Sequence, residues 1–252
     1  MELKEATLAE WLPHFFQSWP RKVPQTTVAR KDTNIVPEQL ARFFSQLSVS
    51  LQPVQHDALA FDPWEVANLG CKEIRNTGVL AWLLDPYGSH GFGRLPLLAL
   101  LQAIRACNRN DIPQDFNRYC RVQVETNPAG DNSNRVDIEI DADNFFLLIE
   151  VKIKAGEQEK QLSRYCFDAG QRAIHRPWAV VFLTPHGNKP LTLNSAFQPE
   201  DVPCLSWRQL ASSIESSLEP SYRKIMTTDN TSPMSQIAAY SALSFLQRMR
   251  QF

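Results

Sequence analysis

One of the longest apolar runs in the chain, Phe145 to Ile149, ends in Glu150-Val151-Lys152, with Lys154 two positions further on. A carboxylate, one residue and a lysine is a weak signal alone, because 27 acids and so few lysines give about one such triplet by chance. The chain has two, and Glu2-Leu3-Lys4 has no comparable setting. Glu150 and Lys152 share a strand face with the apolar Phe146 and Leu148. Desolvating a carboxylate and an ammonium there costs several kcal/mol each unless something compensates. Two compensations are open: a Glu150–Lys152 ion pair at the sheet's edge, or a cation shared with a second carboxylate. Asp137 is the residue that bears on the choice. It falls on the preceding strand, on a face with Arg135, Glu139 and Asp141, where it can meet Glu150 across the ladder. Facing carboxylates repel and raise a pKa, whereas a hard divalent ion favours such oxygen ligands, so a metal is the economical reading. On the following helix Gln161 and Tyr165 are four apart, and Gln161 can point into the cleft beside Lys152. As boundary residues of an amphipathic helix they would have no such role.

The elements that must position these groups follow from periodicity. Val122 and Val124 alternate with Arg121, Gln123 and Glu125, which predicts a strand over about 119–126. Asn127 to Asn134 is dense in turn residues, and Val136, Ile138 and Ile140 then alternate with Arg135, Asp137, Glu139 and Asp141 in a second strand with a full polar face. Phe145 to Ile153 is apolar on both faces until Glu150, Lys152 and Lys154 appear at every second position, a central strand with charge at its end. A helix over about 157–173, a strand over 178–184 and a short extended piece near 202–205 follow. Helices are expected at 3–19, at 37–51 with Leu40, Phe43, Phe44 and Leu47 at helical spacing, at 63–84, 95–107, 207–218 and 233–249. A helix, three strands, a helix and a strand make an α/β domain with a mixed sheet, the early strands a meander and the later helix a crossover.

Composition narrows the function classes. The 252 residues are 43% hydrophobic and 21% charged, and 26 basic against 27 acidic residues leave a net charge of −1. No global basic field announces a nucleic-acid binder, so an anion-binding surface must be local. Lys152, Lys154, Lys160, Arg164 and Arg172 are the expected patch. No apolar run approaches the ~20 residues of a membrane span. Residues 1–10 carry Glu2, Glu5 and Glu10 and lack a basic segment followed by an apolar one, so a cytoplasmic location is expected. Five widely spaced cysteines are read as reduced thiols.

Asp137, then Glu150-x-Lys152, then Gln161-Leu162-x-Arg164-Tyr165 resembles the PD-(D/E)XK nuclease superfamily, with its restriction-endonuclease-like core of a central mixed sheet flanked by helices. Upstream, Lys72-Glu73-Ile74-Arg75-Asn76-Thr77, Leu80-Ala81-Trp82-Leu83-Leu84-Asp85-Pro86 and His90-Gly91-Phe92-Gly93 are similar to the first helix and loop of one branch, widespread in bacteria, and Arg135-Val136-Asp137-Ile138 to its second motif. Val136 stands where the superfamily's name has proline. The resemblance covers about 67–185. It implies a nuclease-like core over 61–206, a helical extension over 1–60 and C-terminal helices over 207–252 that pack on the core.

What the resemblance implies chemically is phosphodiester hydrolysis, of DNA more than RNA. Asp137, Glu150, the Val151 carbonyl and Glu73 would hold Mg2+ or Mn2+, Lys152 would orient the attacking water, and Gln161 would orient water or a phosphate. Lys154, Arg164, Tyr165 and His90 would border the nucleic acid, His90 being alternatively a solvated turn residue. Restriction, repair or anti-phage defence are the expected settings, with a homodimer or partner subunit docking through the terminal helices and no membrane partner. The reading from a different class is a non-catalytic nucleic-acid-binding or assembly subunit. A third is a structural domain whose polar strand end is only an ion pair.

Overall fold

The computed structural model describes residues 36–51, 61–126, 135–158, 160–193, 196–197 and 201–252. The expected helix over 3–19 and the turn over 127–134 lie outside them. The chain divides into two units, Met1–Phe61 and Asp62–Phe252. In the first, α1 (Pro37–Leu51) begins on proline, which suits a first helical turn, and leaves Phe43 and Phe44 exposed.

The second unit runs α2 (Pro63–Val66), α3 (Glu73–Leu84), α4 (Leu95–Ala106), β1 (Cys120–Thr126), β2 (Val136–Ala142), β3 (Phe146–Val151), α5 (Gln161–Ala173), β4 (Trp178–Thr184), β5 (Cys204–Ser206), α6 (Trp207–Thr227) and α7 (Pro233–Met249). The sheet order is β1-β2-β3-β4-β5, antiparallel through β3 and parallel from β3 to β5. This is the α/β architecture with a mixed sheet that the alternation requires, with α5 as the crossover between the parallel strands, and it agrees with the restriction-endonuclease-like core that the resemblance implies.

Every residue of β3 is buried, because both faces are covered. On one side Leu147, Ile149 and Val151 join Ile138, Ile140, Val181 and Leu183 against α3, α4, α6 and α7. On the other Phe146 and Leu148 meet Leu162, Tyr165, Cys166 and Ala169 of α5. Each large apolar side chain so buried contributes on the order of 1.5–3 kcal/mol, which fixes the strand's register. Among the described residues no helix is long and apolar enough to cross a membrane.

Three boundaries differ from the periodicity. The helix expected over 63–84 is split, because Asn68 and Gly70 take positive φ of 53° and 48° and end α2, and Asn76 Nδ2 then donates to the carbonyls of Gly70 and Lys72. The split makes Glu73 the first residue of α3. Helix α5 begins at Gln161 rather than near residue 157, since Lys160 is left-handed (φ 59°) and the Glu157 carboxylate instead accepts from the backbone of Leu191 and Thr192. Helix α6 continues through Pro220 to Thr227, where Tyr222 and Ile225 pack on the core.

Candidate active site

Pairing between β2 and β3 runs from Asp141↔Phe146 to Ile138↔Ile149, so the next position brings Asp137 opposite Glu150 just as the ladder stops. There the Val151 N–H donates to Asp137 Oδ2 at 2.8 Å rather than to the β2 backbone. The Val151 carbonyl points to the same edge as its N–H, which puts it beside the Asp137 carboxylate. Glu150 is 2% exposed, and its Oε1 is 2.5 Å from Lys152 Nζ. Its Oε2 is buried without a hydrogen-bond partner.

These groups perturb one another. Burial and then the neighbouring Asp137 charge push the Glu150 carboxyl up to about 8, against the pull of Lys152. Burial also raises Asp137, outweighing the Val151 amide and Lys152. Burial alone would lower the Lys152 ammonium, but the charges of Glu150, Asp137 and Glu73 overcome it and hold the proton on. Two carboxyl groups thus share a single ammonium, and below about pH 8 a proton on Glu150 makes up the missing positive charge.

Gln161 joins this cluster from the start of α5. Its Nε2 donates to Tyr165 Oη at 3.0 Å, and that hydroxyl donates to the Arg135 carbonyl at 2.6 Å. The chain of donors fixes the amide's orientation and leaves the buried Gln161 Oε1 without a partner. Tyr165 is therefore a support for Gln161. It is 1% exposed, so the expectation that it borders nucleic acid is corrected: α5 buries a wider face than its Leu162, Cys166 and Ala169 stripe indicates.

Glu73 sits beside the cluster, with one carboxylate oxygen committed to the backbone. Its Oε1 accepts from three successive amides, Ile153 at 2.7 Å, Lys154 at 3.1 Å and Ala155 at 3.0 Å. Burial works against the charge, but the three donors and Lys152 prevail and hold the carboxyl below its ordinary range. Among the described residues no three His, Cys, Asp or Glu side chains form a metal-binding group. Glu73 ties α3 to the backbone that leaves Lys152.

His90 is also corrected. It is fully buried, with Nε2 on the Asp85 carbonyl at 2.9 Å and Nδ1 accepting from the Phe92 N–H at 3.1 Å, so it organises the turn after α3 and reaches no phosphate. Burial holds its pKa below the ordinary value. Lys154 and Arg164 are exposed as expected, but Arg172 leaves the expected cationic patch because both its terminal nitrogens meet the buried Glu139.

Sequence reasoning missed Trp207, whose Nε1 donates to the Lys152 carbonyl at 2.9 Å from the fully buried first position of α6. The signal available was Ser206-x-x-Gln209, a capping box that marks where α6 begins.

The oxygen set fits a hard divalent cation: two adjacent carboxylates, a strand-end carbonyl, and buried acceptors at Glu150 Oε2 and Gln161 Oε1 that nothing satisfies. No curated protein and no solved structure matches the chain. A family model, that of the PD-(D/E)XK nuclease superfamily, matches residues 61–240. The match extends beyond the 67–185 of the resemblance and takes in α6 with Trp207.

Proposed function

The chain belongs to the PD-(D/E)XK nuclease superfamily, and from the cluster at the end of β3 we propose that it is a nuclease dependent on Mg2+ or Mn2+ that hydrolyses phosphodiester bonds, of DNA in preference to RNA. The observation that carries this reading is the pair of buried carboxyl groups, Asp137 and Glu150, that face one ammonium, with a proton held on Glu150 up to about pH 8 at the place a cation would take. Asp137, Glu150 and the Val151 carbonyl are the proposed ligands. A cation held there supplies Lewis acidity toward a phosphoryl oxygen and makes a water more acidic.

Lys152 keeps its proton at Nζ while Glu150 faces it, and it orients the attacking water and meets the negative charge that grows on the phosphoryl oxygens. Gln161 offers Oε1 as an acceptor for that water, its amide held by Tyr165. Glu73 and Trp207 act through the peptide that follows the lysine, Trp207 on the Lys152 carbonyl and Glu73 on the Ile153 N–H. The restriction-endonuclease-like core favours DNA, and the five free thiols favour a reducing cytoplasm. Self-association is proposed through the exposed Phe43 and Phe44 of α1 and is read from the mass in solution.

The test is cleavage of supercoiled, linear and single-stranded DNA and of RNA in Mg2+, Mn2+ or EDTA. Asp137→Ala and Lys152→Ala are each expected to lower the rate by about a hundredfold or more. Glu73→Gln, which still offers an acceptor to the three amides, is expected to stay far more active than Glu73→Ala. Absence of cleavage together with absence of any metal effect on melting temperature sinks the proposal.

A further inference from the structure

A groove of about 560 Å³ opens between the start of α3 and the backbone that leaves β3. Lys72, Arg75 and Lys154 line it, with Ile74 and Cys71 between them. From these cations we propose that the groove is a subsite for the phosphodiester backbone of the nucleic-acid substrate, on the strand that continues from the reacting phosphate. The proposal rests on the nuclease reading above.

Three observations carry it. The first is the state of the cations. Four arginines elsewhere in this unit are neutralised by acids, Arg94 by Asp115, Arg109 by Asp111, Arg172 by Glu139 and Arg176 by Asp141. Arg105 and Arg208 meet backbone carbonyls but, among the described residues, do not cluster with other cations around a groove. In the groove Lys72 meets only the Asn68 carbonyl, at 3.4 Å, and Arg75 NH1 only the carbonyls of Ala67 and Asn68. Among the described residues none of the three cations has a carboxylate partner.

The second is the single acid in the lining. Glu73 spends its Oε1 on three amides, so its charge already has donors and the three cations exceed it. Glu73 also fixes the wall, because the same bonds that tether residues 153–155 hold Lys154 beside Lys72 and Arg75.

The third is continuity with the site. Lys154 is two residues beyond Lys152, at most about 7 Å of backbone, so the groove begins within about one nucleotide of the reacting phosphate. A near-neutral chain needs such a local surface to hold a polyanion. The split between α2 and α3 builds it: the left-handed residues that end α2 turn its last carbonyls toward Arg75 and seat that guanidinium at the groove.

The experiment measures binding of fluorescein-labelled single-stranded DNA, duplex DNA and RNA by anisotropy, in EDTA and across a salt series. Wild type, Lys72→Ala, Lys154→Ala and the double variant are compared, with Lys72→Glu as a charge reversal and melting temperatures to check folding. Each lost cation is expected to weaken binding and to flatten the log–log salt slope by about 0.9 on duplex DNA and about 0.7 on single strands. Cleavage by the same variants should show a raised KM with little change in kcat. The arms identify which nucleic acid the groove prefers. Unchanged affinity and salt slope in the double variant, or no binding by wild type, overturns the proposal. Asp137→Ala separates the two readings, since it should bind as wild type does and not cut. If nothing cuts while the groove variants lose binding, the nuclease reading falls and the groove stands.

Discussion

One face of β2 carries three carboxylates at alternate positions, and its two ends are compensated differently. In the middle and at the far end, Glu139 is met by Arg172 of α5 and Asp141 by Arg176 of the turn after α5, and Asp141 also by Arg121 of β1. Glu139 is 1% exposed yet takes two guanidinium nitrogens, one at 2.8 Å. At the near end Asp137 and Glu150 have one ammonium between them and a buried oxygen left over. Same strand, same face and same residue types thus give a saturated structural pair at one end and an unsaturated cluster at the other. The fold can neutralise a buried carboxylate with an arginine from the covering helix, so a cation missing at the near end is a property of that site.

Breaking the saturated end should cost stability and nothing else. Glu139→Ala strands the Arg172 guanidinium over the Phe146 ring and is expected to destabilise the protein by about 3 kcal/mol. The Mg2+-induced rise in melting temperature should survive. Loss of that rise in Glu139→Ala would mean that the two ends are one network.

Relieving the unsaturated end should have the opposite sign. Asp137→Asn keeps an acceptor for the Val151 amide and removes the charge that opposes Glu150, which can then ionise fully against Lys152. Without divalent ions the variant is expected to melt higher than wild type, by about 1 kcal/mol in stability, and to gain nothing from Mg2+. A lower melting temperature in EDTA would show that the Asp137 charge stabilises the fold, and the comparison between the two ends would fail.

Much of this was legible in the sequence because β structure writes itself at period two. Val136, Ile138 and Ile140 fixed one face of β2 and therefore put Asp137 on the other, and the doubly apolar β3 placed Glu150 and Lys152 at its end. The structure brings these three together, and Gln161 is linked to them through Tyr165, whose hydroxyl lies within reach of the Glu150 and Asp137 charges. Long-range partners were not legible: Arg172 and Arg176 lie over thirty residues from the carboxylates they neutralise, so the polar face of β2 read as a uniform stripe. Nor could spacing reveal that Asn68 adopts the left-handed region and breaks a helix, or that Trp207 reaches Lys152 from across the sheet. Tyr165 and His90 were misplaced for one reason: each is polar in type, but its hydrogen bonds are made inside the fold.

The subtlest difference between the two ends is in their response to pH. Glu150 titrates near 4.5 in an unfolded chain and about 8 in the fold, so across that window the native state binds the extra proton. In EDTA this contribution to stability is complete below about 4.5 and is lost as pH rises through about 8. Asp137 is raised and acts with the same sign, while Glu73 is lowered, so its contribution is lost only on the acid side. With Mg2+ the trend reverses, because the cation competes with the proton on Glu150: its affinity should climb by up to about tenfold per pH unit and level off above about 8. Melting curves between about pH 6 and 9, with and without Mg2+, should therefore diverge as pH rises, and Glu150→Gln should abolish the divergence. A Mg2+ increment that stays constant over this range would mean that Glu150 is not a ligand, and the near end would be no more than a strained ion pair.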